Sequence, residues 1–114
     1  MKITGEGVLL RIFIGEADKC DGKPLYKQII KKAKELNIAG ATVFRGIMGY
    51  GANTRVQTAS FLRLSEDLPL VIEIIDNEDR IKTLLPWLDE VIDNGLVTME
   101  KARILKYSPR KRSK

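Results

Sequence analysis

Every even position from Val8 to Ile14 is apolar, while Arg11 interrupts the odd series. That alternation predicts a strand with one buried face and one mixed face. Leu25, Ile29, Ala33 and Leu36 then recur at helical spacing beside Tyr26 and Ile30, with Lys27, Lys31, Lys32, Lys34 and Glu35 on the other side. Pro24 suits the first turn of this amphipathic helix, and Asn37 and Gly40 tolerate the left-handed geometry that ends one. Ala41–Arg45 reads as a second strand running into Gly46, Gly49 and Gly51. The stretch Met48–Asp67 has no clean period, so it is either a long functional loop or the arm of an extended hairpin.

Pro69–Asp76 is β-branched and almost continuously apolar, the pattern of a central strand. Asn77 is a good N-cap, and Glu78 and Asp79 follow where the helix dipole favours acids. Ile81, Leu84, Leu85, Leu88, Val91 and Ile92 form one helical stripe. Pro86 within it predicts a kink or a tightened turn. Asn94-Gly95 is the expected helix stop, and Leu96–Tyr107 the expected last strand. Strand–helix–strand, hairpin, strand–helix–strand is the split βαβ order. The expected fold class is therefore α+β, ferredoxin-like (βαββαβ), with a four-stranded antiparallel sheet and two helices on one face. Its other face carries Leu9, Phe13, Val71 and Ile75, a patch that self-association would bury. Glu73 shares that mixed side and needs a cation nearby, Arg11 or another, in a structural ion pair.

Length and charge refine this picture. The 114 residues allow one domain, expected over 1–107, followed by a basic disordered tail at 108–114. The net charge of +5 suggests an anionic partner, but residues 101–114 hold seven basic groups and no acid. The first 100 residues are left with 13 basic against 15 acidic groups, so the body is slightly acidic. Histidine is absent, which removes imidazole base catalysis and His-ligated metals. Cys20 is the only cysteine, so no intrachain disulfide or thiolate zinc cluster forms. The longest uncharged stretches, Leu36–Phe44 and Gly46–Thr54, are nine residues each. A bilayer span needs about 20. With no apolar leader after Met1, the expected compartment is the cytoplasm, without membrane insertion.

Candidate chemistry is sparse. An RNA-recognition domain of this element order carries stacking aromatics on its third strand, and Leu70–Ile75 has none, so no nucleic-acid partner is expected. Glu16, Asp18 and Asp21 crowd one loop, yet miss the calcium-loop spacing. Thr54, Thr58 and Ser60 have no imidazole to activate them, so no catalytic residue is assigned. What remains is Arg45-Gly46-Ile47-Met48-Gly49-Tyr50-Gly51. Glycines at a strand end let backbone N–H groups approach an anion, and Arg45 pairs well with phosphate. A plain hairpin base explains the same residues equally well. The second glycine turn, Asn94-Gly95, precedes Leu96, Val97 and, further on, Arg103; split βαβ topology lets the two turns converge across a subunit boundary.

Gly7–Gly15 (GVLLRIFIG), Gly22–Tyr26 (GKPLY), Ala39–Gly51 (AGATVFRGIMGYG), Leu64–Asp76 (LSEDLPLVIEIID) and Gly95–Lys101 (GLVTMEK) together resemble the bacterial PII-like family catalogued as domain of unknown function 190. The resemblance covers Lys2 to Tyr107. That family is similar in fold to the PII nitrogen-regulatory proteins and the CutA-type trimers. The resemblance implies a homotrimer with sheets packed inward and an adenine nucleotide, ADP by preference, as ligand in the intersubunit cleft. No required cofactor or metal is implied. Arg45 and Arg103 would meet phosphate, Gly46, Gly49 and Gly95 would offer backbone donors, and Ile47, Met48, Leu96 and Val97 would flank the adenine. Residues 48–67 correspond to the effector loop that meets a protein partner. Two departures matter: PII's Gly-Asp-Gly-Lys turn reads Asp93-Asn94-Gly95-Leu96 here, without the lysine, and one arginine, Arg103, stands where PII has two. Tyr50 lies too near the loop base to match the modified tyrosine of some PII loops. The reduced positive charge implies ADP or AMP rather than a tightly held triphosphate. A CutA-like metal-responsive trimer and a small enzyme acting on a phosphorylated substrate remain as alternatives.

Overall fold

The computed structural model describes residues 5–51, 57–58 and 67–109. Six principal elements follow one another: β1 (Gly5–Gly15), α1 (Leu25–Glu35), β2 (Gly40–Arg45), β3 (Pro69–Asp76), α2 (Glu78–Val91) and β4 (Leu96–Ile104). The four strands form one antiparallel sheet in the order β2-β3-β1-β4, which is the ferredoxin-like arrangement expected from the sequence. β1 and β3 are central, as their apolar content requires.

Alternation decides which face is buried. Val8, Leu10, Ile12 and Ile14 of β1 and Leu70, Ile72 and Ile74 of β3 point into the core. They meet Leu25, Ile29 and Ala33 of α1 and Ile81, Leu84 and Leu88 of α2, so both helices cover one face. Each of these Val, Leu and Ile side chains is worth about 1.5–3 kcal/mol when fully removed from water.

The opposite face carries Leu9, Phe13, Val71 and Ile75, with Phe13 36% exposed. In its middle Arg11 Nε donates to Glu73 Oε2 at 2.9 Å, and Nη1 donates to Glu100 Oε1 at 2.6 Å. The pair with Glu73 was expected; Glu100 adds itself because β4 sets Leu9 opposite Glu100 and Arg11 opposite Thr98. The bond to Glu73, then that to Glu100, holds the Arg11 guanidinium above its ordinary pKa. Arg11 therefore stays charged throughout the working range.

Local chemistry explains the element ends. Asn37 takes φ 59°, Ile38 N bonds Ala33 O at 3.1 Å and Asn37 N bonds Lys34 O at 3.0 Å. This is a Schellman stop with asparagine in the left-handed position. Asn77 caps α2, its side chain accepting from Arg80 N at 2.9 Å. The helix runs through Pro86 without interruption.

Three expectations need adjustment. The polar loop after β1 contains a small hairpin, Lys19–Cys20 against Lys23–Pro24. Its turn, Asp21-Gly22, has φ of 52° and 77°, the doubly positive pair that tight two-residue hairpins demand. Next, part of the predicted long loop is hairpin arm, with Met48–Gly49 pairing with Gln57–Thr58. Residues 52–56 and 59–66 of that loop, and 110–114 of the predicted tail, lie outside the described residues. Finally, β4 ends at Ile104 rather than Tyr107, whose hydroxyl instead donates to Ala39 O at 3.1 Å.

Candidate functional site

In an antiparallel sheet of this order the last residues of β1 and β2 lie beside the first residues of β3 and β4. Gly15 stands opposite Pro69, Arg45 opposite Leu70 and Phe13 opposite Leu96. A cavity of about 360 Å³ opens at this end. Gly46, Met48 and Gly49 form one wall, and Asn94 and Gly95 another. The two glycine turns singled out in the sequence thus converge within one chain; no subunit boundary is needed to bring them together.

Gly95 owes its identity to its close approach to β1. The expected helix stop lies elsewhere, since α2 ends at Val91 and its cap residue Ile92 is extended (φ −96°, ψ 105°). A Cβ on Gly95 would lie 2.8 Å from the Phe13 carbonyl oxygen and 3.0 Å from Ile92 Cγ2. The position demands close approach to β1, not a left-handed backbone.

Phe13 and Val71 link the cavity to the uncovered sheet face, and Tyr50, Leu68 and Pro69 add apolar surface. Phe13 and Leu68 escaped the sequence reading of the site. The only signal for Phe13 was its place near the end of the first strand of a split βαβ unit.

Charge is distributed unexpectedly. The cavity lining includes Asp18 and Asp67 and, among the described residues, no lysine or arginine. Both carboxylates serve the backbone: Asp18 Oδ2 accepts from Gly15 N at 2.9 Å, and Asp67 Oδ1 accepts from Ala17 N at 2.8 Å. The Asp67 bond, with Glu16 N to Leu68 O at 2.8 Å, ties the end of β1 to the start of β3. Among the described residues no group of three or more potential ligands suits a metal ion, and Glu16, Asp18 and Asp21 form none.

The other candidates are dispersed. Arg45 ends β2 beside the cavity but does not line it; its Nη2 donates to Glu16 Oε2 in an ion pair. Gly46 N donates to Pro69 O at 2.7 Å, so this N–H is already engaged and is not a donor for an anion, contrary to expectation. Ile47 is 79% exposed and outside the lining. Leu96 stands opposite Phe13 on the open face, whereas Val97 stands opposite Ile12 on the helix side. Arg103 pairs with Glu6 at the far end of β4. At about 3.3 Å per residue, that is roughly 26 Å from Gly95 in the glycine turn of its own chain.

A four-stranded βαββαβ sheet with one helix-covered face, and a cleft where β1 and β2 meet β3 and β4, is a ferredoxin-like fold. Residues 7–104 match the family model DUF190, described as Uncharacterized ACR, COG1993. The chain belongs to this family. A UPF0166 protein from Aquifex aeolicus is 42% identical over 99 residues, covering 85% of this chain and 91% of its own length. Among solved structures, CPII from Thiomonas intermedia K12, bound to ADP and bicarbonate, superposes with a TM-score of 0.66 at 16% identity, covering 87% of this chain and 88% of its own. CutA1 from Oryza sativa gives a TM-score of 0.52 at 15% identity over 95% and 85%. At these identities the two structures speak for the fold.

No helix among the described residues is long and apolar enough to cross a membrane.

Proposed function

We propose that this chain is a cytoplasmic PII-like regulatory protein that catalyses no reaction and binds an adenine nucleotide, ADP or AMP, in a cleft between the subunits of a homotrimer. Residues 48–67 are presented to a protein partner, which nucleotide binding promotes or blocks. The observation that carries this reading is the convergence of Gly46–Gly49 and Asn94-Gly95 on one cavity of about 360 Å³. CPII, a protein of similar fold, was solved bound to ADP, which supports the ligand class.

The open face supports the assembly. Phe13 and Val71 belong both to the cavity and to that face, so a second copy laid on the sheet adds a wall to the cavity. Arg103 is too far from its own chain's glycine turn, and joins the phosphate site only from a neighbouring copy. The carboxylates of Asp18 and Asp67 disfavour a ligand of high negative charge, in keeping with a mono- or diphosphate.

Thermal melts at fixed protein concentration test the ligand class. ADP or AMP at tenfold excess over Kd stabilises the fold by about 1.4 kcal/mol, and magnesium, zinc or copper alone do not. Stabilisation by a divalent cation alone, with none by nucleotide, would instead favour a metal-responsive trimer.

A further inference from the structure

Arg45 adjoins the cavity through its chain neighbour Gly46, yet its guanidinium is turned onto Glu16. The two partners are held unequally. The Arg45 side chain is 60% exposed at the end of β2, whereas that of Glu16 is 21% exposed. Glu16 is also anchored through its backbone, its N–H donating to Leu68 O at 2.8 Å. Gly15 and Gly46, the chain neighbours of the pair, both line the cavity. The lining itself offers an anion two carboxylates and, among the described residues, no cation. A phosphate entering there has one adjacent arginine to draw on, and that arginine is already neutralised.

We infer that Glu16 is a built-in competitor for the phosphate of the ligand, holding Arg45 in an ion pair that an anionic ligand must displace. This rests on the nucleotide-binding reading above. Glu16 stays with its strand, and the exposed Arg45 swings from carboxylate to phosphate, since a guanidinium pairs with either in the same forked geometry. Exchange of one anion for another makes the site selective: a nucleoside without phosphate gives Arg45 nothing to leave Glu16 for. Because β2 ends at Arg45 and the chain runs on to the Met48–Gly49 strand, release of this pair also frees the strand end that leads there.

The test is an ADP titration by calorimetry of wild type, E16Q, R45A and the double variant, with circular dichroism melts to check folding. E16Q removes the competing charge and keeps the side-chain shape. It is expected to bind ADP about twofold to fivefold more tightly, the range of a partly exposed ion pair. R45A is expected to bind about tenfold or more weakly, and the double variant like R45A alone. An E16Q affinity equal to or below wild type, with R45A weakened, overturns the inference and leaves the nucleotide site standing. A gain in E16Q that survives in the double variant also overturns it, because the effect then bypasses Arg45. If neither wild type nor E16Q binds ADP, the nucleotide reading itself fails.

Discussion

Asp76→Ala is expected to lower the unfolding free energy by about 3 kcal/mol, a fall in Tm of roughly 10–20 °C for a domain of this size. Asp76 closes β3 with no exposed surface. Its Oδ2 accepts from Ala39 N at 2.8 Å and its Oδ1 from Asn77 N at 2.6 Å. Arg80 Nε stands 3.9 Å from Oδ2, and Arg80 Nη1 donates to Asn37 O at 3.2 Å. One carboxylate thereby joins the end of β3, the segment entering β2 and the start of α2. Alanine leaves two backbone N–H groups without acceptors, and an unsatisfied buried donor costs about 1–3 kcal/mol. Asp76→Asn keeps one acceptor oxygen and should lose roughly half as much. Urea denaturation at one protein concentration measures both, since assembly would make stability depend on concentration. A loss below about 1 kcal/mol for the alanine variant would mean that water replaces the carboxylate without cost.

Gly95→Ala should cost about 2 kcal/mol and weaken nucleotide binding with it. The added methyl meets the Phe13 carbonyl oxygen at 2.8 Å, and backbone atoms of a central strand do not move aside as a flexible side-chain tip does. Relief requires the turn at Asn94-Gly95 to retreat from β1, and that turn is a cavity wall. Had Gly95 been a left-handed helix stop, asparagine would be a tolerable replacement; here Gly95→Asn should be at least as damaging as alanine. Denaturation curves of the two variants separate these cases. Equal stability of Gly95→Asn and wild type would restore the helix-stop explanation.

The fold was legible because period and element length carry it. The even positions of β1 named the core face, and Asn77 followed by two acids marked the start of α2, since both signals are local. The glycine turns pointed to the right end of the sheet for a topological reason: strand ends that adjoin glycines meet there once the order is βαββαβ. What stayed hidden depends on partners distant in sequence. Nothing near Arg45 announces Glu16, 29 positions away, and nothing near Asp76 announces Ala39, 37 positions away. Gly95 was legible as a special position, but its reason was not, because a turn glycine and a close-approach glycine look alike in one dimension. Asp21-Gly22 carries a local hairpin signal, set among charged residues that equally suit a solvated loop.

Calorimetric titration of ADP into the wild-type protein is the most direct measure of nucleotide binding. The cavity bounded by Gly46–Gly49 and Asn94-Gly95 predicts saturable binding of one ADP per chain, with Kd below about 1 mM, equivalent to more than about 4 kcal/mol of binding free energy. The absence of saturable heat at millimolar ADP, confirmed at a second temperature, would contradict it.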